Sequence, residues 1–190
     1  MQGTDAHLRW GELSRRRIAS CPLFDLYAAD RSSAQGKRGE FWLLTAPDWV
    51  NVVPLLPTEQ GEPGFLMVRQ YRHGADMITT EFPAGLIETS EEPAAAAARE
   101  LEEETGYRAG RLTLLSAVSP NPAFMNNRCF TFLAEDLTKI GGTTLDDLEA
   151  LDPILLPVRD VENRMGSGEF VNALSYLAFL CYKRRGSADT

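Results

Sequence analysis

Three glutamates, Glu100, Glu103 and Glu104, stand in the run RELEEET. On a helix, spacings of three and four residues bring all three carboxylates onto one patch of surface. Bare, they repel one another by about a few tenths of a kcal/mol per pair. A hard divalent cation reverses that sign. Mg²⁺ or Mn²⁺ takes oxygen ligands and bridges carboxylates to substrate phosphates. Arg99 precedes Glu103 by four residues, the spacing at which it pairs with that carboxylate and orients it. Taken alone, LEEET also reads as a solvated acidic helix face.

The surroundings favour the chemical reading. Residues 93–105 are predicted as a helix. Pro93 suits the first turn, where its missing N–H is not needed. Ala94 to Ala98 have the highest helix propensity available, and Gly106 is a stop signal. Upstream, Gly85 and Glu91 complete a pattern of seven fixed residues between positions 85 and 107, G-x5-E-x7-R-E-U-x-E-E-x-G-U with U a bulky apolar residue. Every fixed position is filled. In this pattern the chain resembles the Nudix hydrolases. Tyr107 stands where an aliphatic residue is commoner, and it is apolar enough to pack.

Composition narrows the classes. A chain of 190 residues forms one domain, or one domain with an arm, and buries a proper core. Hydrophobic and charged fractions of 44% and 24% are those of an ordinary soluble globule. A net charge of −8 argues against non-specific nucleic-acid binding. An acidic enzyme working on anionic phosphates must supply cations locally, and metal does so. Cys21, Cys129 and Cys181 are few and scattered, which reads as buried reduced thiols in a cytoplasmic protein. Two histidines, His7 and His73, are too few for a zinc site. No apolar run reaches membrane-spanning length, no secretory leader is evident, and no repeat is seen.

Residues 1–16 read as a polar surface segment. Residues 17–46 read as an antiparallel N-terminal unit, two strands joined by the turn SSAQGKRG. Strands are predicted at 49–56, 65–70, 78–82, 112–118 and 128–134, with an acidic connection over 135–152. Helices are predicted at 158–167 and 169–184. The second carries an apolar stripe of Phe170, Leu174, Leu177, Ala178 and Cys181, which is core. The GSADT tail is expected to fray. Strands with interspersed helices imply an α/β class fold, a mixed sheet packed between helices. The resemblance supplies the topology: a Nudix-like α/β/α sandwich over 47–190, with the box at 85–107 as loop, helix and loop. The unit at 1–46 is the expected dimerisation arm.

Outside the box the chain resembles the ADP-ribose pyrophosphatase branch of the Nudix hydrolases. VRQYRHG (68–74), EFPAG (81–85), Pro122 and the stretches DDLEALD and SGEFVNALSYLAFL carry this likeness. It implies hydrolysis of a nucleoside diphosphate linked to X, with ADP-ribose giving AMP and ribose 5-phosphate. Other NDP-sugars and dinucleotides are alternatives, as is a non-catalytic domain that senses ADP-ribose. Glu100 and Glu104 are the expected metal ligands, with Glu103 a ligand or a bridge through water. The likeness adds the Ala84 carbonyl, and from the acidic loop Glu149 as ligand and Asp147 as general base. Gly85 is expected to let the backbone turn close to the metal, and Glu91 and Arg99 to support the loop–helix–loop. Arg69 and Arg72 are candidates to grip phosphate, Glu81 to accept from ribose hydroxyls. The loop SPNPAFMNNR, with Pro122 and its asparagines, is expected to shape the sugar pocket. In this branch the N-terminal unit commonly completes the partner's site, which implies a homodimer. The expected partners are a small nucleotide, with neither nucleic acid nor membrane.

Overall fold

The computed structural model describes residues 5–185, so the GSADT tail lies outside the described residues. The chain divides into two units: residues up to Pro47 with Ser119–Arg128, and Asp48–Val118 with the chain from Cys129 onward.

The first unit is a three-stranded antiparallel sheet in chain order, β1 (Trp10–Ser20), β2 (Asp25–Ser33) and β3 (Arg38–Thr45). The sequence predicted two strands and a polar segment before them. That segment enters β1, the first predicted strand (17–30) breaks at 21–24 into the end of β1 and the start of β2, and every residue of β1 is exposed. A strand wet on both faces leaves no apolar alternation to read. Its backbone ladder to β2 and ion pairs hold it instead, with Glu12 meeting Arg15 and Arg31 and with Arg16 meeting Glu40. The 119–128 loop belongs to this unit. The Leu44 N–H donates to the Phe124 carbonyl (2.8 Å), and Asn127 Nδ2 donates to the Pro47 carbonyl (3.1 Å).

The second unit contains β4 (Trp49–Pro57), β5 (Pro63–Arg72), β6 (Met77–Glu81), β7 (Ala84–Leu86), α1 (Pro93–Thr105), β8 (Tyr107–Arg108), β9 (Arg111–Val118), β10 (Cys129–Glu135), β11 (Thr138–Lys139), β12 (Leu151–Pro157), α2 (Val158–Arg164) and α3 (Ala173–Arg185). Its mixed sheet runs β12-β5-β4-β10-β9, with β6 on β5 and β7 on β4. β4 and β10 are parallel, and the other pairs are antiparallel. Strand alternation splits the core. Val50 and Val52 of β4 and Phe132 and Ala134 of β10 pack with Ala96, Ala97 and Leu101 of α1. Val53 and Leu133 point the other way, onto Val161 of α2 and Ala178 and Phe179 of α3. Helices on both faces of a mixed sheet make the expected α/β/α sandwich.

Several boundaries differ from the prediction: α2 ends at Arg164 rather than at 167, and the short strands β7, β8 and β11 are additional. The end of the acidic connection is strand: Leu151–Pro157 pairs with β5 along its whole length. Pro153 and Pro157 mask it, because proline is tolerated only at a sheet edge, which is where β12 lies. α3 starts four residues later than predicted. Asn172 takes the N–H groups of Leu174 (2.8 Å) and Ser175 (3.2 Å) on Oδ1, a capping pattern that sets the helix start.

Candidate active site

α1 spans Pro93–Thr105, the predicted bounds, and ends at Gly106 in the left-handed region (φ +72°). A Cβ on Gly106 would also collide with the carbonyl oxygens of Gly141 and Gly142. The Ile140 N–H donates to the Gly106 carbonyl (2.9 Å) and the Thr144 N–H to the Glu103 carbonyl (2.8 Å). The chain leading into the acidic loop is thereby fastened to the C-terminal end of α1.

With Ala96, Ala97 and Leu101 turned to the sheet, Glu100 and Glu104 face β7. There β4 holds Ala84 opposite Asn51 and Gly85 opposite Val50. The Ala84 N–H donates to Glu104 Oε2 (3.1 Å). The Glu100 carboxyl occupies the volume that a Cβ on Gly85 would fill. Gly85 lies in β7 and outside the positive-φ region, so it is required for space and not, as expected, for a turn. Arg99 ties the loop to the helix. Its Nε and Nη2 donate to Glu91 (both 3.0 Å), Nη2 also to the Leu86 carbonyl (2.9 Å), and Nη1 to Glu100 (2.8 Å) and Glu103 (3.0 Å). The predicted Arg99–Glu103 pair is one of three. Arg99 holds the Glu91 carboxyl below its ordinary range.

Burial drives the site's charge. The Glu104 carboxyl is pushed up to about 8, first by burial and then by Glu100, with Glu149 adding to it and the Ala84 N–H and Arg72 opposing. Burial also raises Glu100, against the pull of Arg99. Glu104, buried beside a second carboxyl and with no ion pair among the described residues, calls for a cation. Among the described residues no three acidic, His or Cys side chains already converge as a ligand cluster. The donors fit a hard divalent ion in their chemistry, being all oxygen, and in the Gly85 cradle that seats Glu100.

The remaining predicted residues separate. Arg72 feels the fields of Glu104 and Glu149, and Glu149 also acts on Glu100. Asp147 makes no hydrogen bond or ion pair with the box carboxylates among the described residues. Arg69 approaches Glu169 (3.9 Å). Pro122 is exposed in the other unit, and there Asn126 Oδ1 accepts from the Ala46 N–H (3.2 Å), so Asn126 and Asn127 brace backbone. Glu81, expected to reach ribose, is 1% exposed and its oxygens are engaged by Arg72, Thr79 and Asn172. Sequence reasoning missed Thr79 and Asn172. The Asn ahead of the ALSYLAFL run was a readable cap signal, but its second partner, 91 residues away, was not.

Residues 48–174 match the NUDIX domain. The chain belongs to the Nudix family. As a Nudix hydrolase it carries an intact box, and enzymes of this family generally use divalent metal ions. It is 33% identical over 162 residues to an ADP-ribose pyrophosphatase of Bacillus subtilis, covering 85% of each chain. It is 26% identical over 181 residues to a CMP-5'-(N-acetyl-N-hydroxy-3-aminopropyl)phosphonate hydrolase of Streptomyces rubellomurinus, covering 95% of this Nudix chain and 85% of that one. The crystal structure of an ADP compounds hydrolase shares the fold at a TM-score of 0.83 and 23% identity, over 95% of this chain and 96% of the other.

Proposed function

We propose that this Nudix hydrolase cleaves the diphosphate of ADP-ribose or a closely related ADP-sugar, with water as the nucleophile, to give AMP and the sugar phosphate. The observation that carries the reading is half-buried Glu100 and buried Glu104 side by side facing β7, with the Arg72 guanidinium in the field of Glu104. The likeness to the Bacillus subtilis enzyme supports ADP-ribose as the substrate.

Glu100, Glu104 and the Ala84 carbonyl would hold Mg²⁺ (or Mn²⁺), with Glu103 and Glu149 beside them. When bound, the ion neutralises the diphosphate, lowers the pKa of a water and stabilises the leaving phosphate. Arg99 holds Glu100 and Glu103 in place through Nη1. The Ala84 N–H fixes one Glu104 oxygen and leaves the other to turn outward. Arg72 offers its free guanidinium edge to a phosphate oxygen, while Arg69, which approaches Glu169, meets the outer part of the substrate. Glu81 orients Arg72 and does not bind ribose, because its acceptors are filled from within the chain. Asp147 and Glu149 of the acidic loop are the candidates to take the proton from water, and Glu149 is the one whose field reaches Glu104. Pro122 stiffens a loop of the N-terminal unit.

The protein acts as a homodimer in the cytoplasm. Leu13 and Ile18 on the wholly exposed β1 support a partner on that sheet, and three free cysteines, of which only Cys129 is buried and Cys21 is exposed against expectation, support a reducing compartment. No helix of the described residues is long and apolar enough to cross a membrane.

The test is release of the nucleoside monophosphate, AMP from the adenine compounds, from a panel of NDP-sugars, dinucleotides and ATP at saturating Mg²⁺. ADP-ribose should exceed ATP in kcat/KM by at least about tenfold. The Streptomyces relative favours a second reading, cleavage of a cytidine nucleotide conjugate, and CDP-linked compounds in the same panel decide it.

A further inference from the structure

We propose that Asn172 is a positioning residue for the reaction. From the start of α3 it holds Glu81, and through Glu81 it holds the Arg72 guanidinium in the orientation that receives the diphosphate. The inference rests on the reading above that Arg72 meets that diphosphate.

Glu81 is a nearly fully buried carboxylate gripped from three sides. Arg72 donates from Nε to Oε1 (3.0 Å) and Oε2 (3.2 Å), and from Nη2 to Oε2 (2.7 Å). Thr79 Oγ1 donates to Oε1 (2.5 Å), and Asn172 Nδ2 donates to Oε2 (2.6 Å). This fork engages the Nε and Nη2 side of the guanidinium. Nη1 makes no hydrogen bond among the described residues, so its N–H groups remain for an anion. The Arg72 side chain is 41% exposed although its carboxylate partner is buried. Arg72 is thus a half-open cation on a rigid buried mount.

Asn172 supplies the rigidity. Its Oδ1 is committed to the N–H groups of Leu174 and Ser175, which fixes the amide and aims Nδ2 at Glu81. The opposite flip would put an oxygen against a carboxylate. The start of α3 is itself pinned to the sheet. Asn51 Nδ2 on β4 donates to the Leu174 carbonyl (2.9 Å), and the Phe82 N–H donates to Ser175 Oγ (3.0 Å). One amide therefore links helix docking to the aim of Arg72. Its loss leaves Glu81 with one donor fewer and freer to rotate, and Arg72 moves with it.

The test is a double-mutant cycle on ADP-ribose with Mg²⁺, using N172S and N172D in wild-type and R72A backgrounds, with melting temperatures for every variant. Both substitutions keep an oxygen that can cap α3. Neither reproduces the amide donor. N172S should lower kcat/KM about tenfold, the scale of one charge-assisted hydrogen bond, and should cost less than about twofold once Arg72 is gone. An equal loss in both backgrounds, or no loss in the wild-type background, overturns the inference while the role of Arg72 stands. If R72A leaves kcat/KM unchanged, the reading of Arg72 fails and the inference with it. Failure of both Asn172 variants to fold would also overturn it, making Asn172 a purely structural cap.

Discussion

At the residue scale, the site depends on where single carboxylates lie. Glu104 is held by the Ala84 N–H and buried beside Glu100. Glu104→Gln keeps the shape and the acceptor for that N–H but removes the charge. It should lower kcat by about 10³, or about 4 kcal/mol of transition-state stabilisation. The metal-free melting temperature at neutral pH should not fall, since the buried Glu104 carboxyl is then largely protonated and glutamine matches its shape. Near-normal turnover would overturn the role given to Glu104. Gly85→Ala probes the neighbouring space. The atoms nearest the new Cβ would be the carboxyl end of Glu100, which can swing aside. Circular dichroism and melting should therefore change little, while turnover and the Mg²⁺-induced rise in melting temperature should both drop sharply. A variant that unfolds would mean that the backbone at β7, not the Glu100 carboxyl, needs the glycine.

At the element scale, α1 and β7 together form a patch whose stability depends on pH. Glu104 binds its proton more tightly folded, at about 8, than at its ordinary 4.5. The stability it contributes is fully present below about 4.5 and is lost as pH rises through about 8. Glu91, lowered by Arg99, works in the opposite sense: its contribution is present above 4.5 and is lost as pH falls through its folded value. In EDTA the melting temperature should therefore decline from about pH 5 to pH 8.5, and Glu104→Gln should flatten that decline. Mg²⁺ should raise the melting temperature more at pH 8 than at pH 6, because ionised ligands bind it best. A flat profile in EDTA would show that the buried carboxylates do not control this region.

At the scale of the whole molecule, the N-terminal sheet raises the question of assembly. β1 exposes all of its residues, and Trp10, Leu13 and Ile18 are among the exposed large hydrophobics of that sheet. Such a surface is consistent with a partner. Light scattering at micromolar concentration should give twice the 21.0 kDa chain mass. Leu13→Glu with Ile18→Glu should shift the mass towards the monomer. A wild-type monomer would refute the homodimer.

The sequence by itself determined what is local. The seven-residue pattern, the bounds of α1, its stop at Gly106 and the Arg99–Glu103 pair could all be read, because propensity and helical spacing act within one segment. It also showed the two-sided α/β class from the mixture of strands and helices. Only the tertiary structure decided the rest. The β1 and β12 strands escaped because one is wet on both faces and the other carries edge prolines, so neither shows an apolar alternation. The reason for Gly85 is the Glu100 carboxyl, 15 residues away in sequence but in contact across β7 and α1. Glu81 has the composition of a ligand-binding carboxylate. Its burial under Arg72, Thr79 and Asn172 gives it a different task. Burial and long-range pairing are properties of packed elements, and no single segment's periodicity contains them.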